Sequence, residues 1–77
     1  MTHPHYRMTR AATDLSATGT SVPGLAERLA DDPTAQYQGG LPDEVGVVVR
    51  GVLLWGPHTR PGGARRSQAA VTLERVD

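Results

Sequence analysis

Residues 44–56, Glu-Val-Gly-Val-Val-Val-Arg-Gly-Val-Leu-Leu-Trp-Gly, leave neither face of an extended chain polar. Successive side chains of a strand point to opposite faces. Val45, Val47, Val49, Leu53 and Trp55 therefore share one face, and Val48, Val52 and Leu54 share the other, with Arg50 among them. Residues 67–76 return with Ala69, Val71 and Leu73 on one side and the polar Gln68, Thr72 and Glu74 on the other. The two segments read as an antiparallel β-hairpin. A strand apolar on both faces needs cover on both, and the rest of this 77-residue chain offers a single helical stripe. The second face, Val48, Val52 and Leu54, is thus expected to meet another subunit.

That stripe lies just upstream. Ser21 has the chemistry of a helix N-cap, and Pro23 is tolerated in the first turn, where its missing N–H has no intrahelical partner. Val22, Leu25, Ala26 and Leu29 follow with i, i+3, i+4, i+7 spacing, while Glu27, Arg28 and Asp31 take the opposite side. Pro33 predicts a stop or kink after Asp31-Asp32. Asp32 then caps a second short turn running to Gln38, with Tyr37 continuing the stripe and Gly39-Gly40 ending it. Residues 6–12 alternate weakly, placing Tyr6, Met8 and Ala12 on one face. Residues 13–21, rich in Gly, Ser and Thr, read as a connection. Gly46 and Gly51 inside the hairpin's first strand predict bulges or a close backbone approach.

The expected fold is a small α+β domain of order β-α-β-β, in which the antiparallel hairpin packs on a short kinked helix. Residues 1–20 form an N-terminal arm with a weak first strand and a loop, and residues 21–77 form the helix and hairpin of one small domain. A domain of this size draws only about 3–5 kcal/mol from its core, so association is a common condition of its folding.

Composition narrows the function classes. With no Cys there is neither disulfide nor thiolate chemistry, which suits a reducing, cytoplasmic setting. The chain also lacks Lys, Asn, Ile and Phe, whose codons are AT-rich, so a GC-rich bacterial or phage genome is inferred. Arg supplies all eight positive charges against eight acids. Arg enrichment therefore says little by itself about nucleic acid, which is not expected as a partner, and no apolar run suits a membrane.

The hairpin loop, residues 57–66, gathers His58, Arg60, Arg65 and Arg66 next to Trp55, a set able to hold phosphate or stack on a base. Met1-Thr2-His3 has the pattern of an amino-terminal copper chelate, with no further ligand nearby to support a metal site. Asp31/Asp32 and Asp43/Glu44 are adjacent acids suited to capping and solvation rather than general acid–base work, and no serine lies in a nucleophile motif. No catalytic residue and no resident cofactor is expected. The reading is a non-catalytic assembly or accessory protein, a homo-oligomer or a subunit of a larger complex.

Three short stretches, His5-Tyr6-Arg7, Gly19-Thr20-Ser21 and Val49-Arg50-Gly51-x-Leu53, together with the element order, resemble dodecins, small proteins that form hollow shells binding flavins. The resemblance implies a shell-forming oligomer, with Gln68 in the place of the family's ligand-binding glutamine and flavin as a ligand. The family's stacking Trp opens the second strand, where this chain has Pro42-Asp43-Glu44, and Trp55 lies at that strand's far end.

Overall fold

The computed structural model describes the backbone of residues 3–60 and 63–77, and the side chains of these except at positions 58–60 and 64. Six elements follow in the order β1 (Tyr6–Arg10), β2 (Ser16–Gly19), α1 (Val22–Ala30), β3 (Gln36–Gly39), β4 (Val48–Arg60) and β5 (Gly63–Arg75). The strands form one five-stranded sheet of order β2-β1-β5-β4-β3, with every neighbouring pair antiparallel. The class is α+β, as expected, but the order is β-β-α-β-β-β. Two short edge strands were hidden in segments read as a connection and as a second helical turn.

The first of these, β2, forms a hairpin with β1, placing Met8 opposite Ala17 and Tyr6 opposite Gly19. Its Ser-Ala-Thr-Gly sequence carries no apolar alternation. Pairing supplies what the side chains lack: Arg10 N–H donates to the Leu15 carbonyl at 2.8 Å and closes the turn. β1 itself lies beside β5, with Met8 opposite Leu73.

Helix α1 begins as the sequence dictates. The Ser21 hydroxyl accepts from the Gly24 N–H at 3.1 Å, and Pro23 occupies the first turn. The helix does not kink. It ends at Ala30, because Asp31 adopts a left-handed conformation (φ 53°) and the chain turns away. A short polar side chain tolerates that region better than most. Asp32 then organises a turn, its carboxylate accepting from the Thr34 N–H at 2.8 Å and the Thr34 hydroxyl at 2.5 Å. The chain continues as β3 rather than as helix, pairing Tyr37 with Leu53.

Residues 44–47 do not belong to the long strand. Gly46 takes a positive φ of 87°, and its N–H donates to the Arg75 carbonyl at 2.8 Å, so the chain turns here and β4 starts at Val48. The alternation that placed Val45 and Val47 on the covered face is broken. At the far end the segment read as a loop is largely paired strand. After an irregularity between Trp55 and His58, the register runs His58↔Arg65, Thr59↔Ala64 and Arg60↔Gly63.

Helix α1 covers one face of the sheet. Met8, Leu25, Ala26, Leu29, Ala35, Leu53, Val71 and Leu73 are buried there, ringed by the partly buried Tyr6, Ala17, Val22, Tyr37, Val49 and Trp55. Gly51 is where a side chain of β3 closes on the backbone of β4. The Tyr37 ring lies over it, and a Cβ at this position would overlap the ring. The expectation of a close approach at Gly51 is met, by an aromatic side chain rather than a backbone, and Tyr37 is fixed by its hydroxyl donating to the Gly40 carbonyl at 2.7 Å.

Candidate interaction surface and the Trp55 cluster

The register turns the two faces of β4 into two environments. Leu53 is fully buried under the helix, whereas Val52 and Leu54, its immediate neighbours, are only partly covered on the opposite face. Val48 shares that open face and is 55% exposed. The three residues expected at an interface therefore lie on one uncovered surface. Strand pairing places Ala70 beside Val52, Thr72 beside Arg50 and Glu74 beside Val48. Across β1, the Arg7 guanidinium meets Glu74 at 3.4 Å. The apolar part is thus a stripe along β4 with polar strands flanking it, not a wholly apolar sheet face.

Two features of this surface escaped the sequence reading. Since residues 44–47 turn away from the strand, Val45 (59% exposed) and Val47 (40%) join Val48 as exposed apolar side chains at one end of the stripe, with Leu41 (56%) in the same connection. Gly46, a residue without a side chain between two valines, was the available signal. In mid-face, the small Ala11 and Ala70 leave a depression of about 450 Å³ over the backbone of Gly51, bordered by Arg50 and Thr72.

Trp55 points the other way. It packs at the margin of the core, and the Arg10 guanidinium lies over its ring at 5.6 Å. The same guanidinium donates to the Leu29 carbonyl at 3.1 Å, where the end of α1 leaves carbonyls without intrahelical donors. Trp55 therefore joins β1, the helix end and β4. Beside it the Gly56 N–H donates to the Thr34 hydroxyl at 2.9 Å, and Arg66 borders the same recess with Pro33, Ala35 and Gln36. Of the basic set, Arg65 and Arg66 are exposed, while the His58 and Arg60 side chains lie outside the described residues. So do Met1 and Thr2 of the amino-terminal copper pattern. Gln68 is exposed on the open face beside Leu54.

Electrostatically the interior is quiet. Among the described residues no polar or charged side chain is buried, and no group of three metal-ligating side chains comes together. Burial raises the Tyr37 phenol above its ordinary value. At the C-terminus a hydrogen bond from the His5 backbone, with Arg75 nearby, holds the Asp77 carboxyl below the usual range. Neither group faces a cleft with a nucleophile. Among the described residues no helix is long and apolar enough to cross a membrane.

No family model matches the chain, and no curated protein or solved structure matches it significantly.

Proposed function

We propose that this is a non-catalytic assembly or accessory protein that associates with a second copy of itself through the open face of its sheet. The observation that carries this reading is the 55% exposure of Val48, on a stripe with Val52 and Leu54, in a chain whose helix covers only the opposite face. Fully burying an exposed aliphatic side chain contributes about 1.5–3 kcal/mol; Val48 offers about half of that and the partly covered Val52 and Leu54 a smaller share each, a useful addition for a domain this small.

A second copy suits the chemistry of the face. The stripe offers projecting aliphatic side chains, and the depression over Gly51, walled by Ala11 and Ala70, is of the kind that receives one. Symmetric dimers bring one patch against itself, so a patch holding both a knob and a hollow is self-complementary. Charge supports the pairing too. The face carries Arg7 and Arg50 together with Glu74, and the chain's formal net charge of zero gives two copies no mutual repulsion to overcome.

Sedimentation velocity from 1 to 100 µM tests the reading. The expected result is a concentration-dependent mass at or above twice 8.2 kDa. A folded monomer across the whole range discards it.

A further inference from the structure

We propose that the depression in the middle of the open sheet face binds a small amphiphilic monocarboxylate, with Arg50 and Thr72 taking its carboxylate and Ala11, Ala70 and the Gly51 backbone receiving its apolar body. Such a site goes beyond self-association, and a single copy of the chain suffices to form it.

Strand register builds the site. Arg50 pairs with Thr72, and Thr72 with Thr9, so one row of the open face carries a guanidinium and two hydroxyls. The next row pairs Val52 with Ala70, and the Ala11 N–H donates to the Ala70 carbonyl at 3.0 Å, which brings two methyl side chains together. Side chains this short leave the hollow of about 450 Å³ beside Arg50 and Thr72. Sites for small molecules typically span about 300–1,000 Å³, and they too are mainly apolar with a few polar groups that fix orientation.

Charge decides the class of ligand. Among the described residues, no hydrogen bond or ion pair engages the Arg50 or Thr72 side chain. Glu74 is the one acid among the described strand residues of this face, and it lies in the neighbouring row with its carboxylate 3.4 Å from Arg7. The hollow therefore has one uncommitted cation, flanked along its strand by Val48 and Val52, and no acid in its lining. One guanidinium matches a monoanion, and its planar fork matches the two oxygens of a carboxylate. A phosphate dianion is better served by a second cation or a helix N-terminus, and neither lines the hollow. Tyr37 and Trp55 pack on the covered face, so a flavin or a nucleobase finds no ring here to stack on.

The test is a titration of the isotope-labelled full chain with octanoate, followed by amide NMR. The amides of Ala11, Gly51, Ala70 and Thr72 should shift together and saturate with a dissociation constant of about 1 mM or tighter, the range open to a ligand of about ten heavy atoms. Octylammonium, with the same chain and the opposite charge, and acetate, with the carboxylate alone, should each bind at least about tenfold more weakly. Arg50→Gln should weaken octanoate by about tenfold or more, as expected for a lost charge-assisted hydrogen bond. Ala70→Leu, which fills the hollow and keeps Arg50, should do the same. Both positions are exposed, so the amide spectrum of the buried core should stay that of the parent. Three results overturn the proposal: no saturable shift at about 10 mM octanoate, an affinity that Arg50→Gln does not change, or an equal response to octylammonium. Sedimentation of the same samples separates this site from self-association. Association without octanoate shifts ends the ligand site alone, and octanoate shifts in a monomer end self-association alone.

Discussion

Leu53 and Val52 are adjacent in one strand, of similar size and chemistry, yet one has no solvent exposure and the other is only partly covered. The only physical difference is the alternation of the strand, which directs Leu53 under α1 and Val52 away from it. On one side the same kind of residue holds the monomer together. On the other it remains unused by the chain's own fold. What separates a core from an open face here is the supply of covering surface, since the described residues form a single nine-residue helix and a sheet with two faces.

Substitutions at the two positions break or sharpen that contrast. Leu53→Ala should have the largest effect, about 2–5 kcal/mol of lost stability, enough to unfold much of a marginal domain. Urea unfolding followed by Trp fluorescence measures it, and a loss below 1 kcal/mol would erase the difference between the faces. Gly51→Val attacks the same covered face by excess rather than by loss. The new side chain displaces the Tyr37 ring at an expected cost of about 1–3 kcal/mol, and the double variant G51V/Y37A should recover part of it.

Val52→Glu is the counterpart on the open face. Its effect on the unfolding free energy of the dilute monomer should stay near 0.5 kcal/mol, as for an ordinary surface change, while the sedimenting mass at 100 µM falls to that of the monomer. A variant that associates as well as the parent moves the interface elsewhere. Smaller again is the alkaline limb of stability. Because folding raises the Tyr37 pKa, the unfolded chain ionises first, so stability present below the ordinary value of 10.0 is lost as pH rises through it. With no Lys to titrate in that window, the decline in thermal midpoint between pH 9 and 11 should be shallower in Tyr37→Phe.

Much of the covered face was legible in the sequence. Ser21, Pro23 and the 22–29 stripe define α1 through local chemistry alone, and the alternation of residues 69–73 assigns the buried side of β5. The hidden elements share a cause: their strand character comes from partners, not from their own side chains. β2 is Ser-Ala-Thr-Gly and becomes a strand by pairing with β1, and β3 was read as helix because Tyr37 falls eight residues after Leu29, where a helical stripe also passes. Val45 and Val47 were misplaced because alternation is blind to the positive φ of the glycine between them. The open-face residues Val48, Val52 and Leu54 were legible by parity, which survives such errors once the strand has begun. The setting of Trp55 was not, because Arg10 is distant in sequence and reaches the ring only through the β1–β5–β4 order of the sheet.

The place of Trp55 gives the molecule a built-in optical probe. It is the chain's single tryptophan, and its ring touches the guanidinium that also binds the end of α1. Its emission therefore reports at once on the docking of β1, the helix terminus and β4. The probe faces away from Val52, so a second copy arriving on the open side should leave its spectrum nearly unchanged. Folding and assembly can then be followed in one cuvette, the first by intrinsic fluorescence and the second by light scattering.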